Sequence, residues 1–187
     1  MSKAHAPMLC AALLLAACAP ANAPEPVASA APRNESRSEY ASIEAGQCTL
    51  ESRDPESGGT RHLCAGVAGY GLRVHDDDAR MSLDVIAPDG DVHPLDFQRV
   101  AGPGFSELGD RVEWRFAPGG DAPLALIVRF GEYVEPDRPT QWLLVARIDG
   151  AGSCVISKIP PGPAQNEQAR AMADVAAERP CLAPPEE

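Results

Sequence analysis

From Cys48 onward the chain is written largely in period two, and that pattern limits it to strands with one buried face. In "RVEWRF" the residues Val112, Trp114 and Phe116 fall on one side and Arg111, Glu113 and Arg115 on the other. "YGLRV" sets Tyr70, Leu72 and Val74 together, and "RMSLDVIA" does the same for Met81, Leu83 and Val85 before the turn "PDGD". Two later segments differ. "PLALIVRF" and "QWLLVARI" are nearly continuous apolar runs, the mark of central strands covered on both faces. "SCVISKI" adds a strand that "PPGP" ends. A single helix is then expected over 164–179, with Ala169, Met172, Ala173 and Ala176 as its buried stripe and Pro180 as its stop. Local strand order with one late helix predicts an α+β domain, mainly antiparallel β-sheet with one C-terminal helix.

The other constraint is cysteine. Of six cysteines, Cys48, Cys64, Cys154 and Cys181 lie in the strand-rich region. An even number in an exported chain points to two disulfides, and the absence of CxxC pairs argues against zinc. Four cysteines allow three pairings. Cys48 with Cys64 is favoured because "CTLES" and "HLCAGV" flank the turn-rich "RDPESGGTR", which makes a hairpin. Cys154 with Cys181 is favoured because it would pin the far end of the helix.

Export itself is read from the first residues. Lys3 precedes the apolar stretch "PMLCAALLLAA", and Leu15-Ala16-Ala17-Cys18 has the form of a bacterial lipobox. The run is far short of the roughly 20 residues a spanning helix needs. The expected arrangement is a signal peptide at 1–17, a lipidated Cys18 with a flexible Ala/Pro-rich tether at 18–38, and one globular periplasmic domain at 39–187. A thiol is the group that diacylglycerol alkylates, and two or more acyl chains hold a protein stably at a membrane. The bland alternative is a plain signal peptide cut after Ala-Asn-Ala at 21–23. Because Ala19 rather than aspartate follows Cys18, the outer membrane is the expected location, with the domain facing the periplasm.

Composition excludes some partners. Losing the signal removes Lys3 and no acid, so the formal net charge falls from −11 to −12. Such a chain is repelled by nucleic acid and by anionic lipid. No P-loop, dinucleotide fingerprint or other cofactor signature is present.

The blocks "CAGVAGYGLRVHDDDARMSL", "VEWRF", "ALIVRF", "LLVARI", "SCVISKI" and "NEQARAMAD", with Cys181 beyond them, resemble an uncharacterised family of small exported proteobacterial proteins with a lipoprotein signal. The resemblance spans roughly 40–181 and implies export and domain boundaries, with no activity attached. Several lysozyme inhibitors are also small disulfide-bonded lipoproteins, an analogy of type without aligned motifs.

Candidate chemistry is sparse. The densest polar cluster, "HDDDAR", makes His75, Asp76, Asp77, Asp78 and Arg80 the candidate ligand site, and three carboxylates suit a hard cation. The run lacks cation-loop spacing, however, and between two strands it reads as a solvated turn. His62, His75 and His93 are too scattered for a recognisable metal motif. "GPGFSELGD" carries Ser106 amid glycines but reads as a loop without a nucleophile elbow. Trp114 and Trp142 read as core. Arg111, Arg115, Arg129 and Arg147 offer a basic patch for an anion or a glycan carboxylate, against the plainer expectation that acids on neighbouring strands pair with them. Asn166, Arg170 and Asp174 share one side of the helix, where an Arg170–Asp174 pair is expected.

The reading that results is a lipid-anchored periplasmic binding or interaction module with an envelope protein or glycan as partner. The alternatives are an accessory subunit of an outer-membrane assembly or, with less support, an envelope-polymer hydrolase. Replacing Cys18 with serine should release the protein from membranes in a fractionation assay; a variant that stays membrane-bound refutes the lipid anchor.

Overall fold

A computed structural model describes residues 35–135, 137–150 and 152–184. The expected signal peptide, the expected lipidation site Cys18 and the expected tether as far as residue 34 lie outside the described residues. Among those described, no helix is long and apolar enough to cross a membrane.

Among the described residues ten strands build two antiparallel five-stranded sheets. One sheet runs in the order β1 (Arg37–Ser42), β7 (Ser106–Phe116), β8 (Pro123–Glu135), β9 (Arg138–Arg147) and β10 (Cys154–Ile159). The other is a sequential meander of β2 (Thr49–Arg53), β3 (Thr60–Ala65), β4 (Gly71–Asp77), β5 (Arg80–Ile86) and β6 (Val92–Pro94). Two helices complete the fold, a single turn α1 (Phe97–Val100) and the longer α2 (Gln165–Asp174). The expected α+β class, mainly antiparallel with one substantial C-terminal helix, is what the chain adopts.

The first sheet is the middle layer. On one face Val112, Trp114 and Phe116 of β7 and Leu126, Val128 and Phe130 of β8 join Leu72, Val74, Leu83 and Val85 of the meander in one core. The period-two faces named from the sequence therefore meet each other. Trp114 is fully buried and leans on Tyr70 at 5.8 Å between ring centroids. Trp142 packs half-buried at the edge of the same core. On the opposite face Ala125, Ile127, Leu143 and Val145 pack against Ala169, Ala173 and Ala176. The two nearly continuous apolar runs are thus strands covered on both sides, as their composition requires.

The helix is shorter than expected. It leaves α-geometry at Val175 (φ −113, ψ 20) and finishes as a 3₁₀ turn over Ala176–Glu178. Ala169 and Ala173 still lie under the helix and Ala176 under that turn, all fully buried, so the predicted stripe holds while the geometry tightens. Two other boundaries move. Arg37 and Ser38, assigned to the tether, pair in β1 with Phe116 and Arg115. Ser106 is not in a loop: it opens β7, is buried, and accepts the Met81 N–H at 2.9 Å.

Both expected disulfides are present. Cys48–Cys64 closes the β2–β3 hairpin, and Cys154–Cys181 ties the chain beyond α2 back to β10. Leu182 N–H donates to Val155 at 2.8 Å and reinforces that attachment. Loops of 16 and 27 residues are worth about 3 and about 3.5 kcal/mol in the chain-entropy account. A Cys154→Ser/Cys181→Ser double variant should therefore lose about 3.5 kcal/mol of unfolding free energy in urea, and alkylation of the native protein without reductant should label none of the four cysteines.

Candidate functional site

The sequence-predicted ligand cluster folds as a tight hairpin turn. Asp77 pairs with Arg80 across the β4–β5 ladder, leaving Asp78 and Ala79 as a two-residue loop with φ of 52 and 57. Such left-handed pairs suit the right-handed twist of a hairpin. Asp76 Oδ1 accepts the Ala79 N–H at 3.2 Å and Asp78 pairs with Arg80 at 2.9 Å, so these carboxylates brace the turn. Among the described residues no group of three or more metal-ligating side chains comes together.

Pleating separates the histidines. His62 pairs with Val74, and His93 pairs with Val85, both core-facing positions, while His75 lies opposite Ser82 on the outer face. Residues adjacent along a strand point to opposite faces, so His75 cannot join the other two. Its Nε2 meets Asp84 Oδ2 at 2.7 Å. Arg73 links Asp84 (3.5 Å) to Glu51 (2.7 Å), and the Arg73 hydrogen bond holds the Glu51 carboxyl below its ordinary range. A depression of about 430 Å³ beside this network gathers His75, Asp54, Asp76, Asp77, Arg53 and Arg61. Among the described residues no serine or threonine hydroxyl bonds His75.

The larger groove, about 780 Å³, lies on the helix-covered face of the first sheet, between β1, β7, β8 and α2. The arginines of the strand faces divide here. Arg115 turns to the helix and grips Asp174 with Nε and Nη2 at 2.6 and 2.9 Å. Arg147 donates to the Arg179 carbonyl at 3.0 Å and reaches Asp149 at 3.8 Å. Arg111 and Arg129 instead line the groove, exposed. Acids on neighbouring strands, the expected partners, hold neither: Arg111 lies over the Tyr40 ring at 5.2 Å, and Arg129 has no ion pair among the described residues.

The expected Arg170–Asp174 pair within the helix does not form. Arg170 bonds Glu113 through Nε and Nη2 at 2.7 and 3.1 Å and donates to Tyr40 OH at 3.0 Å. Ser38 Oγ donates to the same Glu113 at 2.5 Å. A carboxylate at 12% side-chain exposure gains more from the Arg170 and Ser38 donors than an exposed i,i+4 pair, worth a few tenths of a kcal/mol, could return. The signal available in the sequence was charge alternation, Glu113-Arg115 against Arg170-Asp174, two apart on the strand and four apart on the helix and running in the same direction.

Two glycines on β7 and β8 are held by close neighbours, the first of them in the groove lining. Gly109 leaves room for Arg129, since a β-carbon there would stand 3.0 Å from the Arg129 Cβ. At Gly131 a β-carbon would strike Glu107 Cγ at 2.6 Å, displacing the carboxylate that accepts from Tyr133 OH (2.7 Å) and Gln141 (3.0 Å). Comparison with protein-family models, with curated proteins and with solved structures finds no match to this chain.

Burial pushes the Glu113 carboxyl up, but the Arg170 and Ser38 hydrogen bonds outweigh it and hold the group below its ordinary value of 4.5. A carboxyl lowered in the folded state contributes stability that is present above its unfolded pKa and lost as pH falls through the folded value. Glu113→Gln should accordingly cost about 1 to 2 kcal/mol at pH 7. It should also flatten the loss of stability below pH 4.5, as read from urea unfolding at neutral and acid pH.

Proposed function

We propose that this chain is a lipid-anchored binding module of the bacterial envelope, held at the outer membrane through Cys18 and using the large groove to engage an envelope protein or glycan. One observation carries the reading. Arg129 is an exposed cation on the floor of that groove, in a central strand whose neighbours Val128, Phe130 and Gly131 are all buried. An arginine in the middle of a sheet normally lies covered or paired; left open beside a concavity within the common size of ligand sites, it supports recognition. The lipobox at Cys18 and the Ala/Pro-rich stretch after it support a module held at the envelope on a tether.

The full-length chain, purified in detergent, serves as bait in envelope extract beside an Arg129→Glu variant. The expected result is a component retained at near-equal stoichiometry by the native chain and lost with the variant. Retention unaffected by Arg129→Glu overturns the groove as the binding site. Retention of a large stoichiometric complex through another surface moves the protein to the accessory-subunit class.

A further inference from the structure

Strand β7 and helix α2 face each other in a regular register. Two strand residues advance about 6.7 Å and four helix residues about 6 Å, so positions two apart on β7 meet positions four apart on α2. The first step is Arg115 with Asp174, the second Glu113 with Arg170. The third sets Arg111 against Asn166, and the series of opposite charges stops there: the helix supplies a neutral amide where an acid would complete it. Arg111 and Asn166 both line the groove. In a chain with 27 acids and 16 basic residues, an arginine without a carboxylate runs against composition, and Arg129 is a second one beside it.

One irregularity brings the two together. Val112 pairs with Val128 and Leu108 with Phe130, so Gly109, Asp110 and Arg111 all stand where one residue would oppose Arg129. Slips of this kind re-aim side chains, and here the slipped segment carries Arg111 while Gly109 clears space over Arg129.

We propose that Arg111 and Arg129 form a carboxylate-binding pair and that the occupant of the groove is a sugar acid, a hydroxylated ring bearing a single carboxylate. This deepens the binding-module reading and rests on it. Guanidinium groups match carboxylate geometry bidentately. Arg170 and Glu113 satisfy each other, and Glu44 and Asp110 share the groove, so a second negative charge on the ligand meets repulsion, to which the net charge of −11 adds. A single carboxylate gripped by the two guanidiniums meets less repulsion from Glu44 and Asp110 than a phosphate dianion does. The remaining polar lining, the Gln47 and Asn166 amides, supplies donors and acceptors for ring hydroxyls.

The test is calorimetric titration of the full-length chain in detergent with glucuronate, glucose and inorganic phosphate. Glucuronate should bind at least about tenfold more tightly than either of the others, and Arg111→Gln and Arg129→Gln should each weaken it about tenfold, equivalent to about 1.4 kcal/mol. Arg129→Lys should weaken it too, because the bidentate fork is lost. Arg99→Gln, on α1 away from the groove, should change nothing, and unchanged melting temperatures establish that the variants are folded. Equal binding of glucose, equal or tighter binding of phosphate, no heat with glucuronate, or indifference to both arginine variants each overturns the proposal. If glucuronate fails while Arg129→Glu still abolishes capture from envelope extract, the groove stands and the sugar-acid class falls; loss of both removes the groove itself.

Discussion

Everything in this fold depends on a sheet that must be covered twice. Strands β8 and β9 are apolar on both faces, and neither face can be left to water. The meander closes one side with Leu72, Val74, Leu83 and Val85. The other side is closed by α2, whose Ala169 and Ala173, with Ala176 just beyond, let the backbone approach the sheet closely. The lengths do not match, however. A helix of 10 residues is about 15 Å long and a strand of 13 residues about 44 Å. Part of the face is therefore left without helix, and at that part the exposed strand residue is Arg129 rather than an apolar side chain. The groove is the consequence of that mismatch.

The helix is held by two kinds of bond with different reach. At its far end the Cys154–Cys181 bridge fixes the chain to β10 covalently. Along its length Arg115–Asp174 and Glu113–Arg170 set its register on β7 through charge-assisted hydrogen bonds. Tyr40 joins this second system from β1, accepting from Arg170 while its ring supports Arg111. The same side chain thus belongs both to the support of the helix and to the rim of the groove, so disturbing the latch will move the site. On the meander's outer face, Glu51, Arg73, Asp84 and His75 form another polar chain, in which the low exposure of Asp84 is compensated by two cationic or hydrogen-bonding neighbours.

Much of the fold was legible from local pattern. Val112, Trp114 and Phe116 announce a one-faced strand, "ALIVRF" announces a two-faced one, and the spacing of Ala169, Met172, Ala173 and Ala176 announces the buried stripe. The hairpin around Cys48 and Cys64 followed from turn residues between two strands. Less visible were β1, whose Arg37 and Ser38 carry no apolar signal and are ordered by pairing with β7, and Ser106, whose burial comes from contact with β5 and α1. The candidate site was legible only in part. "HDDDAR" stood out by charge density, yet charge density is what a solvated turn also shows, and Arg111 and Arg129 were visible only as members of a larger set of arginines.

Residue order along the chain determined which faces are apolar, where strands and helix begin to form, and that four cysteines lie in the strand-rich region, because these depend on neighbours two to four positions away. Only the tertiary structure decided which of four strand arginines are neutralised and which stay open. That choice depends on a helix some 60 positions distant, set against β7 in a particular register, with an asparagine at the step where an acid would have closed the series. Local pattern carries no information about such a pairing, since the partner of each charge is chosen by packing and not by proximity in sequence.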